Sequence, residues 1–285
     1  MIDRRILRRS FPHNGIERSY LLYVPPTYDR ARPSPLLLVL HGGGGTARSM
    51  IRLTLGGLNN LADQEGCIVV YPSGAGRFWN DGRTLNGRHS EADDVGFLHT
   101  LIAALLFEFA LDPARVYVTG MSNGGHMAYR LGCELADQIA AIAPVAALMP
   151  TELDCTPSRP IGVLVIAGTD DPLVPYNGGP VKALFRERGY VRSAEETAQL
   201  WAQANGCASQ SHVMMLPSVD PSDSTRIRVT QYEGCAASVA LYTVEGGGHT
   251  WPGGMQYLPP RMIGETSQQI DANRVIWEFL QSVSR

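Results

Sequence analysis

Ser122, in Gly120-Met121-Ser122-Asn123-Gly124, is the residue whose setting most clearly suggests chemistry. A serine hydroxyl is a weak nucleophile at neutral pH and needs a neighbouring base to take its proton. G-x-S-x-G is short enough to arise by chance, so its surroundings must carry the reading. The β-rich run Val116–Thr119 precedes it, and Met127, Leu131 and Leu135 recur at helical spacing after it. That is the strand–turn–helix frame in which a sharp turn lifts a serine above a sheet edge.

The base is expected after the serine in the chain, with an acid between the two. Three histidines follow Ser122. His126 lies one turn into the same helix and is expected to pack or hydrogen-bond there, while His212 sits in a polar stretch expected at the surface. His249 follows the apolar run Val239–Val244 and the flexible Gly246-Gly247-Gly248, where a loop can swing a base over the sheet. For the acid, the apolar run Val163–Ala167 ends in Gly168-Thr169-Asp170-Asp171-Pro172. A carboxylate just past the C-terminal end of a buried strand is where such an acid belongs. Spacing does not choose between Asp170 and Asp171; one is expected to face the imidazole and the other to cap the following turn.

Acyl transfer also needs N–H groups aimed at the oxyanion that develops. The amide of Asn123 is one candidate, and the glycine run of His41-Gly42-Gly43-Gly44-Gly45 supplies the other, since glycine lets backbone approach a substrate closely. A phosphate loop is the rival reading of those glycines. It lacks the Gly-Lys-Ser/Thr and the G-x-G-x-x-G helix that would support it.

Something must hold these loops at one edge. Strand-like runs occur at Tyr20–Val24, Pro35–Leu40, Cys67–Tyr71, Val116–Thr119, Ile139–Val145, Val163–Ala167 and Val239–Val244. Several are unbroken Val/Ile/Leu, which suits strands buried on both faces of a parallel sheet. Helical stripes alternate with them: Leu98, Leu101, Ile102 and Leu105, then Ile276, Phe279, Leu280 and Val283. Ser193 and Glu196 form a capping-box pattern opening a helix over Ala194–Ala204, which Gly206 then ends. The expected fold is therefore α/β, with a mostly parallel central sheet and helices on both faces. No repeat or long Pro/Gly-rich tether interrupts residues 1–285, so one domain is expected.

Composition narrows the function classes. A hydrophobic fraction of 44% and 18% charged residues exclude a disordered chain. A net charge of −3, with no basic stripe beyond the Arg-rich start, argues against a nucleic-acid partner. No apolar run approaches the ~18 residues of a membrane span. Met1–Ser10 is basic but no apolar signal segment follows it, so no signal peptide is read there. Five cysteines without a C-x-x-C argue against a zinc site, and Cys67, inside an apolar run, is expected to be an inert buried thiol.

Taken together, six motifs resemble a known family. They are Leu40-His41-Gly42-Gly43-Gly44-Gly45, Phe78-Trp79-Asn80-Asp81-Gly82-Arg83, Asp93-Asp94-Val95-Gly96-Phe97, the stretch Asp112 to Gly125 around the serine, Gly168-Thr169-Asp170-Asp171-Pro172, and Gly248-His249-Thr250-Trp251-Pro252-Gly253-Gly254. In that order they are similar to the polyhydroxybutyrate-depolymerase-like esterases, which include feruloyl esterases of the first carbohydrate esterase family. The resemblance implies an α/β-hydrolase fold without a large lid, and a serine ester hydrolase that needs no metal or cofactor. Its acid motif, Gly-Thr-x-Asp-x-x-Val-Pro-Tyr, selects Asp171, and its loop donor corresponds to Gly43, beside Asn123. It also implies a disulfide between Cys207 and Cys235, and secretion or export to the periplasm.

The expected substrate is a small or polymer-linked ester, with feruloyl, aryl or short acyl groups ahead of polyester oligomers. A peptidase or a non-catalytic binding protein of the same fold is the more distant alternative. Extracellular polymer depolymerases of this kind carry a cysteine in the oxyanion loop and an added substrate-binding domain, and this sequence departs from both. Trp79 and Trp251 flank the motifs and are candidates to stack on an aryl or sugar group. Asp93 and Asp94 are expected to cap the helix that begins at Val95.

Overall fold

The structure is a computed structural model and describes residues 5–83, 91–183 and 186–283. The first four residues of the basic start lie outside them. β1 (Ile6–His13) and β2 (Ile16–Tyr23) form a hairpin whose two-residue turn, Asn14-Gly15, has φ of 49° and 75°. Positive φ at both positions is what a tight hairpin turn needs, and Asn-Gly supplies it at low cost.

Then follow β3 (Ser34–Leu40), α1 (Ala47–Leu53), α2 (Gly57–Glu65), β4 (Ile68–Pro72), α3 (Asp94–Glu108), β5 (Leu111–Met121) and α4 (Asn123–Glu134). The second half holds β6 (Ala141–Val145), β7 (Gly162–Gly168), β8 (Gly179–Ala183), β9 (Arg186–Val191), α5 (Ala194–Ala204), β10 (Ser211–Met215) and β11 (Arg226–Tyr232). The chain closes with β12 (Val239–Glu245), α6 (Pro260–Ile263) and α7 (Ala272–Gln281).

Ten strands form one sheet in the order β1-β2-β4-β3-β5-β6-β7-β12-β11-β10. The six from β4 to β12 run parallel, and an antiparallel pair extends each side. Side chains alternate across a strand, so β3 feeds two cores. Leu36, Leu38 and Leu40 pack with Leu101, Met127, Leu131 and Trp201 from α3, α4 and α5. Leu37 and Val39 pack with Met50, Leu58 and Ile276 from α1, α2 and α7. Both faces are thus covered, which is why these strands read as unbroken apolar runs.

The α5 capping box joins Ser193 and Glu196, as the pattern predicts. Asp93 caps α3 by accepting from the Gly96 amide. Asp94 does something else. Fully buried, it pairs with Arg18 at 2.5 Å and accepts from the Asn80 amide at 2.6 Å.

Two disulfides form, Cys207–Cys235 as the family resemblance implies, and Cys133–Cys155, which no sequence pattern announced. Cys67 is free and buried, and burial pushes its thiol up to about 12, so it stays unreactive at neutral pH. Among the described residues no helix is long and apolar enough to cross a membrane, and no His/Cys/Asp/Glu group could hold a metal.

Candidate active site

Parallel strands bring their C-terminal ends to one edge, and there the strand order turns: β3 is flanked by β4 on one side and β5 on the other. Such switch points are where open α/β sheets place their sites. β5 runs into Ser122, where the chain reverses abruptly into α4 with φ of 56°. A non-glycine residue in that region is strained and persists only where its surroundings hold it. Here Gly124 is what permits the turn: a Cβ there would overlap the carbonyl oxygens of Leu40 and His41. The Ser122 side chain remains partly exposed.

The loops after β7 and β12 bring Asp171 and His249 together. Asp171 Oδ2 lies 2.7 Å from His249 Nδ1, and both side chains are buried. The other Asp171 oxygen accepts from the amides of Leu173 and Val174, each at 2.8 Å. One aspartate therefore faces the imidazole and also caps the turn, contrary to the division expected between Asp170 and Asp171. Asp170 is exposed and accepts from the Thr169 hydroxyl. His249 is fixed through its backbone, donating to the Ile263 carbonyl and accepting from the Tyr257 hydroxyl at 3.1 Å.

The glycine loop leaves β3 beside this turn. Gly43 is exposed, with the ring of Phe78 lying against its α-carbon: an added Cβ would meet that ring at 2.8 Å. His41 donates from Nδ1 to the Gly42 carbonyl and accepts at Nε2 from the Gly74 amide. Burial, and after it the charge of Arg77, lowers the pKa of His41, which suits this neutral, doubly bonded ring. Asn123 begins α4, so its backbone N–H belongs to the first turn, which has no intrahelical acceptor. The Asn123 side chain bonds the Trp79 backbone and the Asp81 carboxylate.

Two expectations change. Trp79 is 2% exposed and donates from Nε1 to the His41 carbonyl at 2.9 Å, so its indole is a packing group and cannot stack on a ligand as it stands. Trp251 is wholly buried on the opposite side of the sheet and bonds Asn273 through Nε1. The aromatic that does face outward at the glycine loop is Phe78, 37% exposed, with the Arg188 guanidinium 5.2 Å from its ring centre. It stands in the Phe78–Arg83 motif, and only the fold distinguishes it from its neighbour.

His126 packs in α4, as expected, but without hydrogen bonds. Both ring nitrogens are buried and unpartnered among the described residues, and Asp81 lies 3.9 Å away. Burial, then the charges of Arg83 and His249, hold its pKa well below the ordinary histidine value, so it stays neutral. His212 lies on β10, a strand absent from the sequence reading, and is exposed there.

Residues 18–163 match the family described as Esterase PHB depolymerase. Over 281 residues the chain is 34% identical to "Putative esterase NocK" of Nocardia uniformis subsp. tsuyamanensis, covering 93% of this chain and 80% of that protein. It is 32% identical over 246 residues to feruloyl esterase B of Piromyces equi, covering 81% of this chain but only 42% of that protein. Among solved structures, a thermostable esterase superposes with a TM-score of 0.62 at 18% identity, over 99% of this chain and 64% of that one. An acetyl xylan esterase from Aspergillus awamori superposes with a TM-score of 0.59 at 16% identity, over 86% and 94%. These two likenesses show the fold, and the sequence matches show the kinship. The chain belongs to the Esterase PHB depolymerase family and is an ester hydrolase of the α/β-hydrolase fold.

Proposed function

We propose that this chain hydrolyses carboxylic esters through an acyl-enzyme formed on Ser122. The observation that supports the reading most is the buried Asp171–His249 pair, 2.7 Å apart, at the same sheet edge as the strained Ser122 turn. His249 takes the Ser122 proton as the hydroxyl attacks the ester carbonyl, then returns it to the leaving alcohol. Asp171 holds the imidazole in the Nδ1–H tautomer and stabilises the imidazolium that forms. The amides of Gly43 and Asn123 receive the oxyanion, an effect worth about 3–4 kcal/mol per donor. Water then attacks the acyl-enzyme by the same route in reverse. These steps call on no metal or cofactor.

Feruloyl, other aryl and short acyl esters are the proposed substrates. The exposed Phe78 ring against Gly43 supports a planar acyl group, as does the kinship with a feruloyl esterase. Polyester oligomers are the second reading, favoured by the family match itself. Residues 1–285 act as one catalytic domain in this proposal, in an oxidising compartment outside the cytoplasm, which the two disulfides support.

Ser122→Ala should abolish turnover of a p-nitrophenyl acyl ester while the fold is retained. Retained turnover would sink the proposal. Methyl ferulate, acetylated xylan and 3-hydroxybutyrate oligomers, assayed side by side, decide the acyl class.

A further inference from the structure

The segment from Gly74 to Arg83 is stitched to both loops that carry the proposed oxyanion donors, and none of the steps above uses it. Toward the glycine loop, the Gly74 amide donates to His41 Nε2 at 3.0 Å and Trp79 Nε1 donates to the His41 carbonyl at 2.9 Å. The Gly44 amide donates back to the Arg77 carbonyl at 2.9 Å. Toward the serine turn, Asn123 Oδ1 accepts from the Trp79 amide at 2.8 Å, and its Nδ2 donates to the Trp79 carbonyl at 3.0 Å. The same Nδ2 donates to Asp81 Oδ2 at 2.6 Å. Asp81 is held in turn by Arg83, whose Nη2 donates to it at 2.6 Å. Trp79, Asp81, Arg83 and Asn123 are all buried.

The β3–β5 ladder ends at the pair Leu40–Gly120, before either donor is reached. Beyond that pair, the relative position of the two loops depends on what bridges them. An oxyanion hole acts only when its donors are already aimed at the developing charge. A shift of about 1 Å can cost 10²-fold in rate.

We infer that residues 74–83 are a clasp that sets the spacing and direction of the Gly43 and Asn123 amides, with the Asn123 side chain, Trp79 and Asp81 as positioning groups. The inference rests on the oxyanion roles proposed above. It also gives the Phe78–Arg83 motif a task, since the backbone of Trp79 and the carboxylate of Asp81 are what Asn123 grips.

Two variants test it. Asn123→Ala keeps the backbone N–H and removes three side-chain bonds, while Trp79→Phe keeps a ring and removes only the bond to His41. Active sites are first titrated with a fluorophosphonate, so that rates refer to competent enzyme. A clasp predicts that kcat for p-nitrophenyl acetate falls about 10- to 100-fold in Asn123→Ala, with KM within about threefold of the parent. The Ki of phenylboronic acid, whose serine adduct is tetrahedral, should rise by a similar factor. Trp79→Phe should move kcat and Ki in the same directions by a smaller factor, and it keeps the test open if Asn123→Ala does not fold. Fewer titratable sites and a lower Tm, with kcat per site and Ki unchanged, would overturn the clasp. Labelling that survives Ser122→Ala would instead overturn the serine reading, and the clasp with it.

Discussion

The Asp171 carboxylate divides its two oxygens: Oδ2 sits 2.7 Å from His249 Nδ1, and Oδ1 accepts from the amides of Leu173 and Val174. Each oxygen therefore has its own duty, and an amide cannot perform both. In Asp171→Asn the remaining oxygen should stay with the two backbone amides, turning an N–H toward His249 and forcing the wrong tautomer. A loss of about 10⁴-fold in kcat is expected, the size seen where an aspartate in this role becomes asparagine. Asp170→Asn touches an exposed side chain bonded to Thr169, and should keep activity within about tenfold. Steady-state kinetics on both variants with one ester check this. The reverse order of effects would reassign the acid.

His126 carries a pH consequence. In the unfolded chain its imidazole titrates near the ordinary 6.5, whereas folding holds it neutral well below that. As pH falls below about 6.5, the unfolded state takes up a proton that the folded state refuses, so stability declines; above that pH the effect is absent. His41, also lowered by burial, adds in the same direction. His126→Leu should make the pH dependence of urea unfolding between pH 8 and 5.5 shallower. At pH 8 it should be neutral or stabilising, by up to about 1–3 kcal/mol, because it removes two buried unpartnered nitrogens. An unchanged slope would mean that another group governs the acid limb.

The disulfides should matter for stability and little for chemistry. Cys133–Cys155 and Cys207–Cys235 close loops with sequence separations of 22 and 28. Chain entropy assigns bridges of that span about 3 kcal/mol each. Replacing either pair by serine should lower Tm by roughly 6–12 °C, with kcat at 25 °C nearly unchanged. Calorimetry with and without dithiothreitol checks this on the unmodified chain, and an unchanged Tm would count against it.

What the sequence showed of the fold followed burial. Strands buried on both faces, such as Leu36–Leu40 and Val163–Ala167, announce themselves as apolar runs. β10 is exposed along its whole length, and β11 mixes exposed and buried positions, so hydrophobicity alone marks neither. β1 is a polar edge strand, so hydrophobicity does not mark it either, and only its Asn14-Gly15 turn carries a local signal. At the site, Ser122, Asp171 and His249 stood out because their residue types and strand-end positions are local properties. Whether Phe78 or Trp79 faces a ligand is not local: it depends on which ring the packed loops turn inward, and only there does the Trp79 indole N–H reach the His41 carbonyl. The Asn123–Asp81 bond was hidden for the same reason, joining motifs 42 residues apart in the chain.

Glycine at two positions should prove unequal. At Gly124 the helix start presses on the end of β3, and an added Cβ would overlap the carbonyl oxygens of Leu40 and His41. Backbone cannot swing aside as a flexible side chain can, so Gly124→Ala must move the serine turn or the glycine loop. Gly44 has φ of 73° but nothing within 4 Å of an added Cβ, so Gly44→Ala meets backbone strain alone. That strain costs about 1–2 kcal/mol. The expected outcome is a Gly44→Ala enzyme that folds with a modest loss of Tm. Gly124→Ala should yield little soluble protein, or protein whose kcat is down by about 10²-fold. Thermal unfolding and active-site titration of the two variants make the comparison, and a Gly124→Ala enzyme as stable and active as its parent would show that the contact with β3 is not the constraint that shapes the turn.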